Sequence, residues 1–229
     1  MAESSNVPEY GVSAHYTGME GERYFAVQNA NGSVTGRLAA RLFSPHIKPE
    51  HSVLDFGCGS GNVLVELDCA AKLGVEINPA ARQAALARGL DCVEGLDDVA
   101  DGFADVVISN HVLEHIPNPV AALAAMRSKL KPDGTLMICT PLDDWRVQKR
   151  WTPDNHDHHL HTWTPRLMGN LLLEAGFQVK DGEVTIITYA WPPRVQVFES
   201  RLPRAAFDAT CMAFSILARR RQVFAKVTV

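Results

Sequence analysis

The stretch VLDFGCGSGNV, from Val53 to Val63, restricts the possible folds more than any other part of the chain. A short apolar run ends at Asp55 and Phe56, and glycines then follow at the alternate positions 57, 59 and 61. A strand that breaks into glycines lets the backbone pass close to a ligand, and a helix start beyond it offers unpaired N–H groups. The spacing discriminates among ligands. A dinucleotide fingerprint, G-x-G-x-x-G, requires glycine where the chain has Asn62, and no Lys followed by Ser or Thr marks a phosphate-cradling loop. The carboxylate of Asp55 repels phosphate and suits a cation, an ammonium or a sulfonium.

Beyond Pro49, β-branched runs alternate with amphipathic stretches: SVLDF, AKLGVEI, helical PAARQAALARG, ADVVISN, helical NPVAALAAMRSKL, then GTLMICT. That rhythm predicts a doubly wound α/β fold, and strands too apolar to alternate predict burial on both faces. Asn118 with Pro119 and Thr164 with Pro165 read as helix starts. Lys131 to Gly134 reads as a turn, and Gly176 as a helix stop. EVTIITYA and QVFAKVTV are the last strands.

With 229 residues, 46% of them hydrophobic, the chain is read as one domain, residues 1–229, with elaborations at 1–48, 142–163 and 192–221. The first 32 residues predict loop or short helices, with a helix from Ser33 to Phe43. Residues 142–163 hold three of the four tryptophans and four of the nine histidines, so this connection is read as functional. Residues 192–221 carry a helix with a Phe207, Cys211, Phe214 and Ala218 stripe, packed inward, and Arg219 to Arg221 as its solvated tail.

A net charge of −4 argues against a nucleic-acid binder, which needs a surplus of Lys and Arg. The five cysteines form no C-x-x-C pair, which fits reduced thiols in a soluble cytoplasmic protein. No apolar run approaches the ~18 residues of a membrane span, and no signal peptide opens the chain. A monomer or homodimer is expected.

Glu76 follows the second strand in GVEINP, 21 residues beyond Asp55, where a carboxylate accepts both hydroxyls of a ribose. Together VLDFGCGSG, GVEINP, ADVVISNHVLEHIPNP, LKPDGTLMICTP and HLHTWTPRLMGNLLLEAGF make the chain resemble the class I S-adenosylmethionine-dependent methyltransferases, from about Val53 to Gly176. The resemblance implies a seven-stranded, mainly parallel sheet in a three-layer α/β/α arrangement, with QVFAKVTV as an antiparallel insert. It also implies S-adenosylmethionine as cofactor and S-adenosylhomocysteine as product. On matching positions, Asp55 and Gly57 lie near the methionine part, and Gly59, Gly61 and Asn62 close to the cofactor. Glu76 takes the ribose, Ile77, Leu96 and Asp97 the adenine, and Asn110 and His111 the reactive methyl. The N-terminal segment with Tyr10, Tyr16 and Tyr24 is expected as a lid, Tyr16 reaching the cofactor carboxylate.

The acceptor is expected to be a small molecule, methylated at a hydroxyl, with an N-methyltransferase and a non-catalytic cofactor-binding protein as alternatives. A base of near-neutral pKa then serves, which makes His159, His115 and His111 the catalytic candidates. Four residues apart, His111 and His115 are read as sharing one face of a helical turn with Glu114 beside them. HVLEH is similar to the E-x-x-E-H with which ubiquinone-type O-methyltransferases hold a divalent metal. His111 replaces the first acid, which a hard ion disfavours, so no metal is expected. In HDHHLH, alternation sends His159 and His161 one way and His158 the other, and Trp145, Trp151 and Trp163 are candidates either for an aromatic wall or for packing the loop down, the commoner fate of Trp.

Overall fold

The computed structural model describes residues 9–29, 32–142, 150–152, 157–188, 191, 200–218 and 220–229. Two helices, α1 (Gly18–Asn29) and α2 (Gly32–Phe43), precede β1 (Ser52–Phe56) and β2 (Ala71–Val75). Next come α3 (Pro79–Ala87), β3 (Asp91–Val93), β4 (Ala104–Asn110), α4 (Pro119–Lys129) and β5 (Leu130–Pro141). The chain closes with α5 (Pro165–Glu174), β6 (Val184–Thr188), α6 (Arg204–Leu217) and β7 (Arg221–Thr228).

The strands form one seven-stranded sheet in the order β3-β2-β1-β4-β5-β7-β6. β7 runs antiparallel between β5 and β6, as QVFAKVTV was expected to do, and the remaining pairings are parallel. Successive residues of a strand face opposite sides, and each side has its own helix layer. Leu54, Leu136 and Ile138 pack with Leu123 and Met126 of α4 and Met168 and Leu172 of α5. Their neighbours Val53, Met137 and Cys139 pack with Ala39 and Phe43 of α2 and Ala85 of α3. Burying each large side chain stabilises by about 1.5–3 kcal/mol, which accounts for the absence of a polar face in the sequence of β1, β4 and β5.

Helix starts follow the expected chemistry. Asn78 Oδ1 accepts from the Ala80 and Ala81 amides at 3.0 and 3.1 Å, and Pro79 occupies the first turn of α3. Asn118 and Thr164 cap α4 and α5 in the same way, at 3.2 Å each. The expected turn at 131–134 interrupts the β4–β5 ladder, where Leu130 pairs with Ala104 and Thr135 with Val106, and Asp133 has a positive φ of 62°.

Two segments differ from the sequence reading. Residues 18–29 form a 12-residue helix; GMEGERYFAVQN has no apolar stripe, and α1 packs on α2, on α3 and on the turn at Ala14–Tyr16. The arginines do not form a solvated tail of α6. That helix stops at Leu217, Arg221 opens β7, Arg220 lines the main cavity, and residue 219 lies outside the described residues. Phe207 packs on Val34 and Leu38 of α2, while Met212, Ile216 and Leu217 face outward. None of the cysteines is in a disulfide, and among the described residues no helix is long and apolar enough to cross a membrane.

Candidate active site

β1, β2 and β4 end side by side, and the chain order reverses between β1 and β4, the place where open α/β sheets form a crevice. A cavity of about 810 Å³ opens there, lined by the glycine loop, the start of α3, the residues after β4 and the N-terminal segment.

The turn after β1 is fixed to β2 by backbone bonds. The Gly57 and Cys58 amides both donate to the Val75 carbonyl, at 2.8 and 3.1 Å. Gly57, Gly59 and Gly61 have φ of 77°, 55° and 72°, values that cost an L side chain about 1–2 kcal/mol each. The three do different work. A Cβ on Gly57 would collide with Val112, one on Gly61 with Leu90, and one on Gly59 would meet nothing within 4 Å. Gly59 therefore borders open cavity, whereas Gly61 serves packing against α3 and does not line it. Asn62 lines the cavity but is engaged in bracing: its Nδ2 donates to Ser60 Oγ at 2.7 Å, and Arg88 donates to its Oδ1.

Two carboxylates face this loop. Glu76 Oε2 accepts from the Gly59 amide and Oε1 from the Asn78 amide, both at 2.8 Å. Burial raises the Glu76 pKa, and those N–H bonds act in the opposite direction. Asp55 is 2% exposed, and burial, with the negative charge of Glu76 adding to it, pushes its carboxyl up to about 8. Asp55 is thus protonated at neutral pH until a cation approaches. Ile77 lines the cavity beside Glu76.

Leu96 and Asp97 are not brought to this crevice. Leu96 is wholly buried in the core, its backbone N–H donating to the Tyr10 hydroxyl oxygen, and Asp97 lines a separate depression with Glu9 and Asn118. Tyr10 occupies the intervening space, its ring edge-on to Phe56 at 5.7 Å.

At the opposite end Asn110 and His111 close β4. HVLEH is not one α-helical turn: His111 has φ 56°, and residues Leu113–His115 form a single 3-10 turn. The two imidazoles nevertheless converge on Glu114, whose Oε1 lies 3.8 Å from both His111 Nδ1 and His115 Nε2. Glu114 is 0% exposed. Burial, with His159 adding to it, pushes the His115 pKa down to about 3, so its ring is neutral at physiological pH.

The lid expectation has a specific form here. The Tyr16 hydroxyl donates to the Asp157 carbonyl at 2.7 Å and lies 2.5 Å from His115 Nδ1. Because the phenol has one proton, His115 carries its own on Nδ1 and leaves Nε2 as an acceptor. Tyr16 and Tyr24 meet edge to face at 4.9 Å, and His15 stacks on His158 at 4.7 Å.

The histidine run does not alternate, because His158 takes φ 46°. His159 turns to His115, ring centroids 5.0 Å apart, whereas His161 Nε2 lies 3.0 Å from the Ile116 carbonyl. The aromatic wall is corrected too. Trp163 is in the core, Trp151 is 79% exposed, and Trp145 lies outside the described residues, as does His156. Trp191 lines the cavity instead, with Thr35, Gly36 and Gln222. The helix expected from Ser33 to Phe43 thus borders the cavity, a role the sequence reading did not give it, and the signal available was Gly36, which packs directly on Asn62.

A model of the methyltransferase domain matches residues 28–181. The chain belongs to the class I S-adenosylmethionine-dependent methyltransferases. It is 35% identical over 113 residues to the ribosomal protein L11 methyltransferase of Burkholderia lata, covering 45% of this chain and 36% of that protein. It thus spans about a third of the length of such curated relatives. In fold it is similar to an S-adenosylmethionine-dependent methyltransferase from Archaeoglobus fulgidus, with TM-score 0.63, 18% identity and coverage of 90% and 99% of the two chains. A Haemonchus contortus phosphoethanolamine N-methyltransferase 2 in complex with S-adenosylmethionine gives TM-score 0.59 at 15% identity, covering 94% and 58%.

The family's cofactor fits the residues present. The cavity volume falls within the ~300–1,000 Å³ of small-molecule sites, and the open side of Gly59 leaves room for a ligand against the backbone. Glu76 supplies a carboxylate, and Asp55 a latent negative charge for a cation.

Proposed function

We propose that this methyltransferase moves the methyl group of S-adenosylmethionine to a hydroxyl oxygen of a small molecule, a metabolite, sugar or polyketide-type acceptor. The observation that carries the reading is the polarity of the crevice, with carboxylates and glycine backbone at one end and imidazoles at the other. The cofactor supplies a sulfonium-activated methyl group and a good leaving group. Glu76 accepts hydrogen bonds from the ribose, Ile77 packs on the adenine, Gly59 allows close approach, and Asp55 faces the cationic methionine part. Asn110 and His111 border the reacting methyl.

His159 and His111 take the acceptor proton, because Tyr16 occupies His115 Nδ1 and burial makes that ring a weak base. A base contributes about 10²- to 10⁴-fold, or roughly 3–5 kcal/mol, against ~7–11 kcal/mol for orientation. Cofactor and acceptor positioning therefore outweigh any one histidine. The L11 methyltransferases act on a ribosomal protein by name, but the match covers only a third of them, so their substrate is not transferred here.

A screen of hydroxyl and amine acceptors with a coupled homocysteine readout tests the reading. Turnover on a hydroxyl acceptor, depressed about 10²-fold or more in His159→Ala with cofactor affinity nearly unchanged, supports it. Turnover on amines alone replaces it with N-methylation. Tight cofactor binding with no turnover on any acceptor makes the protein a non-catalytic binder.

A further inference from the structure

The thiols of Cys58 and Cys92 meet across 34 positions of sequence, their sulfurs 3.6 Å apart. Cys58 stands between the first two glycines of the turn after β1, and Cys92 lies in β3, the edge strand of the sheet. β2 runs between them, with Gly74 paired to Asp55 of β1 on one side and to Cys92 on the other. The encounter depends on that glycine. A Cβ on Gly74 would stand 2.5 Å from Cys58 Sγ and 3.2 Å from Cys92 Sγ, so a larger residue would close the space the two sulfurs occupy. Glycine weakens a strand interior, and Gly74 has no positive φ that would demand it. Cys69 and Cys139 instead donate to oxygens, of Ala71 and Gln222.

The two thiols are unequal in a way that suits oxidation. Cys58 is buried and faces the main cavity, whereas Cys92 is half-buried. The bond between them, reinforced by burial, raises the Cys58 pKa, and the same bond, donated by the Cys58 thiol, lowers that of Cys92. Because the thiolate is the form that attacks a peroxide, Cys92 reacts first, and Cys58 is already in contact as the resolving thiol.

We propose that Cys58 and Cys92 form an oxidation site that governs cofactor binding, in which a hydroperoxide converts the pair to a disulfide and so distorts the glycine loop. The Cys92 sulfur attacks the peroxide, forming an S–O bond as the O–O bond breaks, and the other oxygen leaves as water or alcohol with the thiol proton. The Cys58 sulfur then forms the S–S bond and expels the oxygen on Cys92 as water, taking up the Cys58 proton. The two sulfurs together give up two electrons, which reduce the peroxide. Closing 3.6 Å to about 2.05 Å brings the sulfurs together by about 1.5 Å. The turn has little slack to absorb this, since the Cys58 amide is bonded to the Val75 carbonyl at 3.1 Å and the next amide, of Gly59, to Glu76 at 2.8 Å. The effect on the cofactor rests on the function proposed above, in which Gly59 and Glu76 meet it.

The test treats the full chain with hydrogen peroxide, alkylates the remaining thiols and maps the linked peptides by mass spectrometry. Calorimetry measures S-adenosylmethionine affinity before oxidation, after it, and after reduction with dithiothreitol. The expected result is a Cys58–Cys92 disulfide with affinity lowered about tenfold or more and restored by reduction. Cys92→Ser, or Cys92→Ala where the serine variant does not fold, should bind the cofactor like the unaltered chain and keep that affinity through peroxide treatment. Since such coupling is reciprocal, saturating cofactor should favour the dithiol by the same tenfold, raising the midpoint potential of the pair by about 30 mV. Thiols that stay reduced, or a disulfide that joins other cysteines, overturn the oxidation site. A Cys58–Cys92 disulfide with unchanged affinity overturns its hold on the cofactor, as does a loss of affinity that persists in the Cys92 variants. Failure of the reduced chain to bind S-adenosylmethionine overturns the cofactor reading instead, and the peptide map still judges the thiol pair.

Discussion

The Gly59 amide donates to Glu76 Oε2 at 2.8 Å, which joins the turn after the first strand to the acid after the second. Glu76 thus shapes the loop, besides the ribose contact proposed for it. Glu76→Ala is expected to lower S-adenosylmethionine affinity more than tenfold, because it removes two acceptors for the ribose and releases the Gly59 backbone. Isothermal calorimetry measures this, and unchanged affinity would make the ribose assignment untenable.

Gly57 and Gly59 share a positive φ but not a neighbourhood, so alanine at each should fail differently. At position 57 the left-handed backbone costs about 1–2 kcal/mol, and collision with Val112 adds roughly 1–3 kcal/mol. At position 59 only the backbone cost of about 1–2 kcal/mol applies to stability, while the new methyl enters the cofactor's space. Thermal unfolding should therefore rank Gly57→Ala below Gly59→Ala, and Val112→Ala should partly rescue the former. Equal melting temperatures would contradict this division of labour.

Asp55 gives the protein a definite pH dependence. Its folded pKa of about 8 lies above the ordinary carboxylate value, so between about pH 4 and pH 8 the folded state holds a proton that the unfolded state has lost. The stability it contributes is complete below pH 4 and declines as pH rises through 8, by up to about 1.4 kcal/mol per pH unit. Binding of a cationic cofactor favours the ionised form, so affinity should rise between pH 6 and 8 with release of a proton. Calorimetry in buffers of different ionisation enthalpy detects that proton, and Asp55→Asn should abolish both trends. A flat affinity profile in the unaltered protein would separate Asp55 from the cofactor.

The framework of this site was legible because it depends on local rules. Alternating glycines after a strand, Asn-Pro helix starts, an acid near the end of β1 and an acid after β2 are each visible as local patterns. What was not legible depends on long-range encounters. The single left-handed residue His158 breaks the alternation of HDHHLH, which no local pattern encodes, and directs His159 and His161 to different partners. For Trp163 the sequence left open a pocket wall or packing of the loop, and its position just ahead of α5 places it in the core. Leu96 and Asp97 fit a family position loosely; Leu96 is in the core beside Tyr10, which comes from a distant segment, and Asp97 lines a separate depression. The helical nature of residues 18–29 came from packing on α2 and α3 rather than from any stripe in its sequence.

Tyr16 links the N-terminal segment, the turn after β4 and the loop carrying His159. Its hydroxyl donates to the Asp157 carbonyl and accepts from His115 Nδ1. Tyr16→Phe keeps the ring and its edge contact with Tyr24 but removes both bonds, a loss of about 0.5–1.5 kcal/mol for each. The loop beyond Asp157 is further held by the Leu160 amide on the Glu114 carbonyl at 2.8 Å, so its opening should be reported at that amide. We expect hydrogen exchange at Leu160 to accelerate about tenfold in Tyr16→Phe, as a loss of roughly 1.4 kcal/mol in local opening energy implies, with exchange in β4 and β5 unaffected. Turnover should fall with the loop's protection while S-adenosylmethionine affinity changes less than in Glu76→Ala. If Leu160 exchanges at the same rate in both proteins, Tyr16 does not hold the loop in place, and its contacts with His115 and Asp157 are incidental to the lid.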